Sequence, residues 1–236
     1  MSIDGNEPDR TPKWQRRPEQ RRREILDAAR SAFGCFGYQR ATLSEVAERA
    51  GVCSGTVSHY FGSKSELFEA LIADQFIGFV EREEAAVASF TGPMRDLLHV
   101  ILRDIWEHAW TPGRLELMQV LLVEADEFPA AGQLFCRQLG HRWRGIFGRI
   151  LETGMANGEF KALDPNVASR VVLYSLLGTA QKMAVVGKFD PEMPDRDLVL
   201  QGLTDMIDCY VAAPTPAIAQ RAAATHETSK RRKVST

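Results

Sequence analysis

The sequence predicts an all-α protein. Apolar residues recur at i, i+3, i+4 and i+7 along most of its 236 residues, the spacing that lays one helix face against a core. Two boxes, Thr42-x-x-Glu45 and Ser63-x-x-Glu66, are helix-start signals. No stretch sustains the alternation of a half-buried strand. The chain divides into an arm (1–18), a short-helix unit (19–66), a larger helical body (67–212) and a tail (213–236).

The arm is polar, carries Pro8, Pro12 and Pro18, and reads as flexible. The first helix begins near Glu19, buries Ile25, Ala28, Ala29, Ala32, Phe33 and Phe36, and ends at Gly37. A second starts at the Thr42 box with Leu43, Val46, Ala47 and Ala50 inward, and Gly51 stops it. A third runs from about Ser54 to Phe61. Val57 and Phe61 point in, which leaves Ser54, Gly55, Thr56, Ser58, His59 and Tyr60 mostly outward. The Ser63 box opens a fourth helix that carries Leu67, Phe68, Leu71 and Ile72 and continues to about Ser89. Thr91-Gly92-Pro93 breaks the chain before a helix that carries Met94, Leu97, Leu98, Ile101, Leu102 and Ile105. The next, Leu115 to Val123, is apolar nearly all round and belongs inside the body. A long helix follows Pro129, with Leu134, Phe135, Leu139, Trp143, Phe147 and Leu151 on one side. Asp164-Pro165 opens a further helix to about Val186, and the last runs from about Arg196 to Val211. The tail contains Lys230-Arg231-Arg232-Lys233 and reads as a solvated charge run.

Two short helices joined by a Gly-containing turn, the second polar outside, read as a helix-turn-helix. The run GVCSGTVSHYFGSKSELFEAL resembles the DNA-binding signature of the TetR/AcrR family of bacterial transcriptional regulators. The likeness reaches back through REILDAARSAFGCFGYQRATLSEVAERAG and covers residues 21–72. It implies an N-terminal three-helix DNA-binding domain followed by a helical ligand-binding and dimerisation domain. By motif position it implies backbone contacts from Thr42, Ser54, Tyr60 and Lys64, and base-edge contacts from Gly55, Thr56, Ser58 and His59. The sequence departs from the family where a basic residue often separates the Ser and Gly that open the reading helix; here Ser54 and Gly55 are adjacent.

Charge fits this reading. The net charge is only −2, so any basic surface is local. Between Arg10 and Glu24 lie seven basic residues and two acidic ones, suited to neutralising phosphates beside a helix-turn-helix.

In the resembled family the body holds a small-molecule pocket. Trp106, Trp110, Met118, Leu121, Leu122, Phe147, Tyr174 and Met183 are candidate lining residues, each also suited to plain core packing. The last two helices are the expected homodimer faces, with Ser175, Gly178 and Ala180 permitting close approach and Leu176, Leu177, Leu203, Met206, Ile207 and Tyr210 supplying burial. The expected partners are a double-stranded palindromic DNA operator, a second copy of the chain and a small-molecule effector of unspecified identity. The expected function is a ligand-released repressor; the alternative is an activator or an effector-independent regulator.

Other classes find no support. A phosphate-binding Gly-rich loop, a metal set and a nucleophile motif are all missing from the sequence, so no enzyme and no cofactor is expected, and His99, His108 and His141 have no useful ligand spacing. Cys35, Cys53, Cys136 and Cys209 are scattered, as free thiols in a reducing, cytoplasmic setting would be. Cys53 lies close to a helix N-terminus, which lowers a thiol pKa, and reads as a redox sensor or as a small turn residue. No apolar run has the roughly 18 residues of a membrane span.

Overall fold

Local chemistry sets where each helix begins and ends. In this computed structural model, which describes residues 13–123 and 129–213, the Thr42 and Ser63 hydroxyls accept from the Glu45 and Glu66 amides while each carboxylate reaches back to the cap amide. Both capping boxes are therefore complete. Gly51 closes the second helix at φ 66°, a left-handed conformation that a side chain would strain. Gly37, at φ 75° and ψ 172°, breaks the first helix where its apolar spacing ends.

The helices are α1 (Lys13–Arg40), α2 (Leu43–Ala50), α3 (Ser54–Phe61), α4 (Lys64–Ile72), α5 (Gly78–Ser89), α6 (Met94–Ala109), α7 (Arg114–Val123), α8 (Pro129–Phe135), α9 (His141–Ala156), α10 (Pro165–Val186) and α11 (Arg196–Val211). The all-α expectation holds. The extended pairing among the described residues is one bridge between Phe160 and Ala212. α1 begins at Lys13 rather than near Glu19 and runs through Pro18, which near a helix end removes one ladder hydrogen bond. The rest of the expected arm, residues 1–12, and the tail from Pro214 onward lie outside the described residues.

π turns at Ala73–Ile77 and Cys136–Gly140 join α4 to α5 and α8 to α9, so 64–89 and 129–156 are each one continuous helical stretch. The apolar spacing explains them. Phe68, Ile72, Phe76 and Val80 are all buried and all four apart. In an α-helix each four-residue step overshoots a full turn by about 40°, so such a row would drift off the core. A wider π turn returns it to one face. Leu139 lies within the second π turn, and Trp143, Phe147 and Leu151 continue its four-residue row along α9.

The chain forms two compact units. The first takes the described residues to Gly78 together with those of 112–138; the second takes 79–111 and those from Leu139 onward. The expected single cut at residue 66 is thus not where the chain divides, because α7 and α8 return to the first unit. There α1 packs on α2, α4 and α7. Its centre is an aromatic triad, Phe33, Tyr38 and Phe68, with ring centroids 5.0–5.7 Å apart. Burying each ring contributes about 2–3 kcal/mol. α7 buries Leu115, Leu117, Val120 and Leu121 but exposes Leu122 and Val123, so the all-round apolar reading placed it wrongly in the body. Against α1 it is held by Arg30, which donates to the Pro112 carbonyl at 3.1 Å.

In the second unit α6 is central and packs on α9, α10 and α11. Trp106, Phe147, Ile101 and Leu102 are fully buried there. A bidentate pair joins Arg142 of α9 to Glu84 of α5 at 2.6 and 2.8 Å. His99 Nε2 lies 2.9 Å from both carboxylate oxygens of Asp208, tying α6 to α11. No helix among the described residues is long and apolar enough to cross a membrane.

Candidate functional site

The polar surface of α3 follows from its two buried residues. Val57 and Phe61 lie one turn apart and fix the helix against α2 and α4. Ser54, Gly55, Ser58 and His59 then fall on the opposite, exposed face, with Thr56 and Tyr60 half-buried on its flanks. Among the side chains of this face are hydroxyls, a methyl and an imidazole, groups able to read base edges.

Several of the expected contact residues also serve the fold. Thr42 is the cap of α2, its hydroxyl donating to Glu45 at 2.8 Å. Ser54 Oγ donates to Ser44 Oγ at 3.2 Å, linking the starts of α3 and α2. Thr56 Oγ1 and Cys53 Sγ are 3.1 Å apart. That hydroxyl, followed by the Thr56 amide, holds the exposed Cys53 thiol below its ordinary range. Lys64 is the largest departure from expectation. Its ammonium donates to the carbonyls of Tyr38, Gln39 and Ala41 at 2.9, 3.1 and 3.1 Å and sits 4.5 Å over the Tyr38 ring. All three N–H groups are engaged, so Lys64 pins the start of α4 to the end of α1.

Basic residues flank the face. The Arg22 guanidinium of α1 lies 5.3 Å over the Phe61 ring at the end of α3. Arg21 and Arg23 are exposed beside it in the chain. Arg49 donates to Ser31 at 2.8 Å and covers Phe36, closing α2 against α1. The contact of Arg22 with Phe61 was invisible in sequence, since the two are far apart in the chain.

The candidate ligand residues separate between the units. Met118, Leu121 and Leu122 are on α7 in the first; Trp106, Trp110, Phe147, Tyr174 and Met183 are in the second. Leu122 and Tyr174 are 65% and 60% exposed, whereas Trp106 and Phe147 are fully buried. Trp106 and Trp110 meet edge to face at 5.9 Å, and neither indole N–H finds a hydrogen-bond partner. Sequence reasoning missed Glu83, buried on α5 with an unpartnered oxygen. Its signal was its place on the apolar row between Phe79 and Val87.

On α10, Val167, Val171, Tyr174 and Gly178 form an exposed stripe; on α11, Leu198, Gly202 and Met206 do so. A Cβ added at Gly178 or Gly202 would meet open space. Leu176, Ala180 and Ile207, expected to supply the dimer surface, are buried within the protomer instead. No group of three potential metal ligands occurs among the described residues, and all four cysteines are free and exposed.

Comparison with known proteins agrees with this architecture. Residues 25–71 match the family model of bacterial regulatory proteins of the tetR family, and residues 96–213 match that of the AefR-like transcriptional repressor C-terminal domain. The chain is 29% identical over 167 residues to the A-factor receptor protein of Streptomyces griseus, covering 70% of this chain and 55% of that protein. It is 38% identical over 109 residues to the HTH-type transcriptional repressor Rv1474c of Mycobacterium tuberculosis, covering 45% and 54%. The chain thus spans about half the length of these relatives. Among solved structures, FadR of Bacillus subtilis in complex with stearoyl-CoA superposes with a TM-score of 0.68 at 20% identity, over 78% of this chain and 96% of that one. NalD, the secondary repressor of the MexAB-OprM efflux pump in Pseudomonas aeruginosa, gives 0.68 at 20% identity over 84% and 99%. With the two family models matching its N-terminal and C-terminal parts in order, this chain belongs to the TetR family of bacterial transcriptional regulators.

Proposed function

We propose that the chain is a transcriptional repressor that binds a palindromic DNA operator as a homodimer and is released by a small molecule. The observation that carries the reading is the exposed face of α3, polar and small, held by complete capping boxes on the helices either side of it. An α-helix fits the major groove, where donor, acceptor and methyl patterns distinguish the base pairs. Gly55 permits close approach, Thr56 offers a methyl to thymine, and Ser58 and His59 offer hydrogen bonds to base edges. Thr42, Ser54 and Tyr60 meet phosphates, which position the protein without specifying sequence. Lys64 acts on this surface by holding the start of α4 in place, its ammonium on the carbonyls of Tyr38, Gln39 and Ala41. Arg21, Arg22 and Arg23 extend the positive surface along α1.

The second copy packs on the exposed stripes of α10 and α11, whose glycines allow close helix approach. A two-fold pair presents two α3 helices to two half-sites about 34 Å apart. The effector is held in the helical body, where the buried indole N–H groups of Trp106 and Trp110 lack acceptors. It acts by preferring a state that binds DNA poorly; a hundredfold loss of DNA affinity requires about 2.7 kcal/mol of preference. Coupling runs along the backbone, which leaves the first unit after Gly78, returns at Pro112 and leaves again after Gln138.

The test is a footprint of the full chain on the DNA flanking its own gene, followed by titration of candidate metabolites into the complex. A symmetric protected site that one metabolite clears supports the reading. Protection without symmetry removes the palindrome; effectors that bind tightly yet never alter protection remove ligand release.

A further inference from the structure

We propose that Glu83 anchors the cationic end of the effector, which is an organic amine or guanidine carrying an apolar body; this rests on the effector-released reading above. Glu83 is 5% exposed, on a row of α5 otherwise occupied by Phe79, Val80 and Val87. Its Oε2 has no hydrogen-bond partner. The next residue, Glu84, is by contrast paired with Arg142. A carboxyl oxygen withdrawn from water without a partner is a net cost.

Its surroundings define what would complete it. Phe79, one turn before Glu83, stacks on His108 of α6 at 3.7 Å and meets Trp143 of α9 at 5.5 Å. Asp104, one turn before His108, lies close enough for its charge to push the Glu83 carboxyl up, adding to the larger effect of burial. Burial likewise raises Asp104. Two carboxyls therefore sit one helical turn from a layer of aromatic rings. Arg82, whose guanidinium lies 5.4 Å over the Phe79 ring, pulls both carboxyls down by its charge, against the larger effect of burial. An unpartnered carboxyl oxygen with a second carboxyl acting on it takes an N–H donor, and one that brings positive charge makes the stronger bond. A carboxylate or phosphate headgroup would meet repulsion there.

The headgroup is tested with three probes of one tail, decylamine, decanol and decanoate, each titrated into the full chain and followed by tryptophan fluorescence and calorimetry. The expected result is decylamine binding at least about tenfold more tightly than the other two. Glu83→Gln should abolish that preference without lowering Tm, and Asp104→Asn should reduce it. Equal or tighter binding of decanol or decanoate, no binding by any probe, or an unchanged preference in Glu83→Gln overturns the assignment. Should Glu83→Gln fail to fold, an unchanged preference in Asp104→Asn overturns it and a reduced one supports it. Operator binding is read in parallel. Decylamine bound through Glu83 without loss of DNA affinity supports this site and sinks effector release. Release driven by decanoate does the reverse.

Discussion

Lys64 separates two roles that sequence alone merges. A lysine at a helix start beside a helix-turn-helix reads as a phosphate contact, yet its three N–H groups are taken by carbonyls at and just beyond the end of α1. Lys64→Met should destabilise the first unit by about 2 kcal/mol, since charged hydrogen bonds are lost and carbonyls left bare. Operator affinity falls through misplacement of α3, while the salt slope stays unchanged. A slope reduced by about one unit, measured by titration across ionic strength, would instead assign Lys64 a direct phosphate contact. Ser58→Ala and His59→Ala act differently: each relaxes base preference by about 1–3 kcal/mol at one position and leaves Tm unchanged, as competition with mutated half-sites would show. Among the residues of the face, identity and exposure were readable from Val57 and Phe61, because two inward residues fix the rest of so short a helix. The engagement of Lys64 was not, because its acceptors are backbone atoms from another element. Glu83 was obscured by its neighbours: Glu81, Arg82 and Glu84 make the segment read as solvated, although the four-residue row through Phe79 and Val87 marks it.

At the scale of the element, the capping boxes make α2 and α4 sensitive to acid. Hydrogen bonds from Thr42 and Ser63 hold the Glu45 and Glu66 carboxyls below the ordinary value of 4.5. For such lowered groups the stabilisation is complete above 4.5 and disappears as pH falls through the folded value. Amide exchange in α2 and α4 should therefore accelerate on acidification, and Glu45→Gln with Glu66→Gln should flatten that dependence. Thr42→Ala costs about 1 kcal/mol at neutral pH, readable in thermal denaturation. Glu83 has the opposite sign: burial raises it, so its ionised form costs stability that returns as pH falls. The boxes were legible because their pattern is local and strict. The start of α1 was missed because Pro18 was read as a stop, and α7 was misplaced because an apolar count does not say which neighbour covers the helix. That neighbour is α1.

For the molecule as a whole, assembly through the exposed stripes of α10 and α11 is the proposal to test. Tyr174→Glu with Met206→Glu should give a monomer in light scattering at micromolar concentration, with each protomer folded and operator affinity lost, because one α3 reaches one half-site. The all-α class and the order of helices were legible from periodicity and caps, whereas the division into units was not, since α7 and α8 rejoin helices far earlier in the chain. The π turns lie at two of the three places where the backbone passes from one unit to the next. Each is a widened loop of helix holding roughly one surplus residue within an otherwise unbroken ladder. A surplus of that kind can migrate: passing it along by a turn re-aims only the side chains it crosses, by about 100° each, and leaves both ends of the helix anchored. The passages at Ala73–Ile77 and Cys136–Gly140 thereby each hold about one residue of slack, and deleting Gln75 would draw the first of them tight.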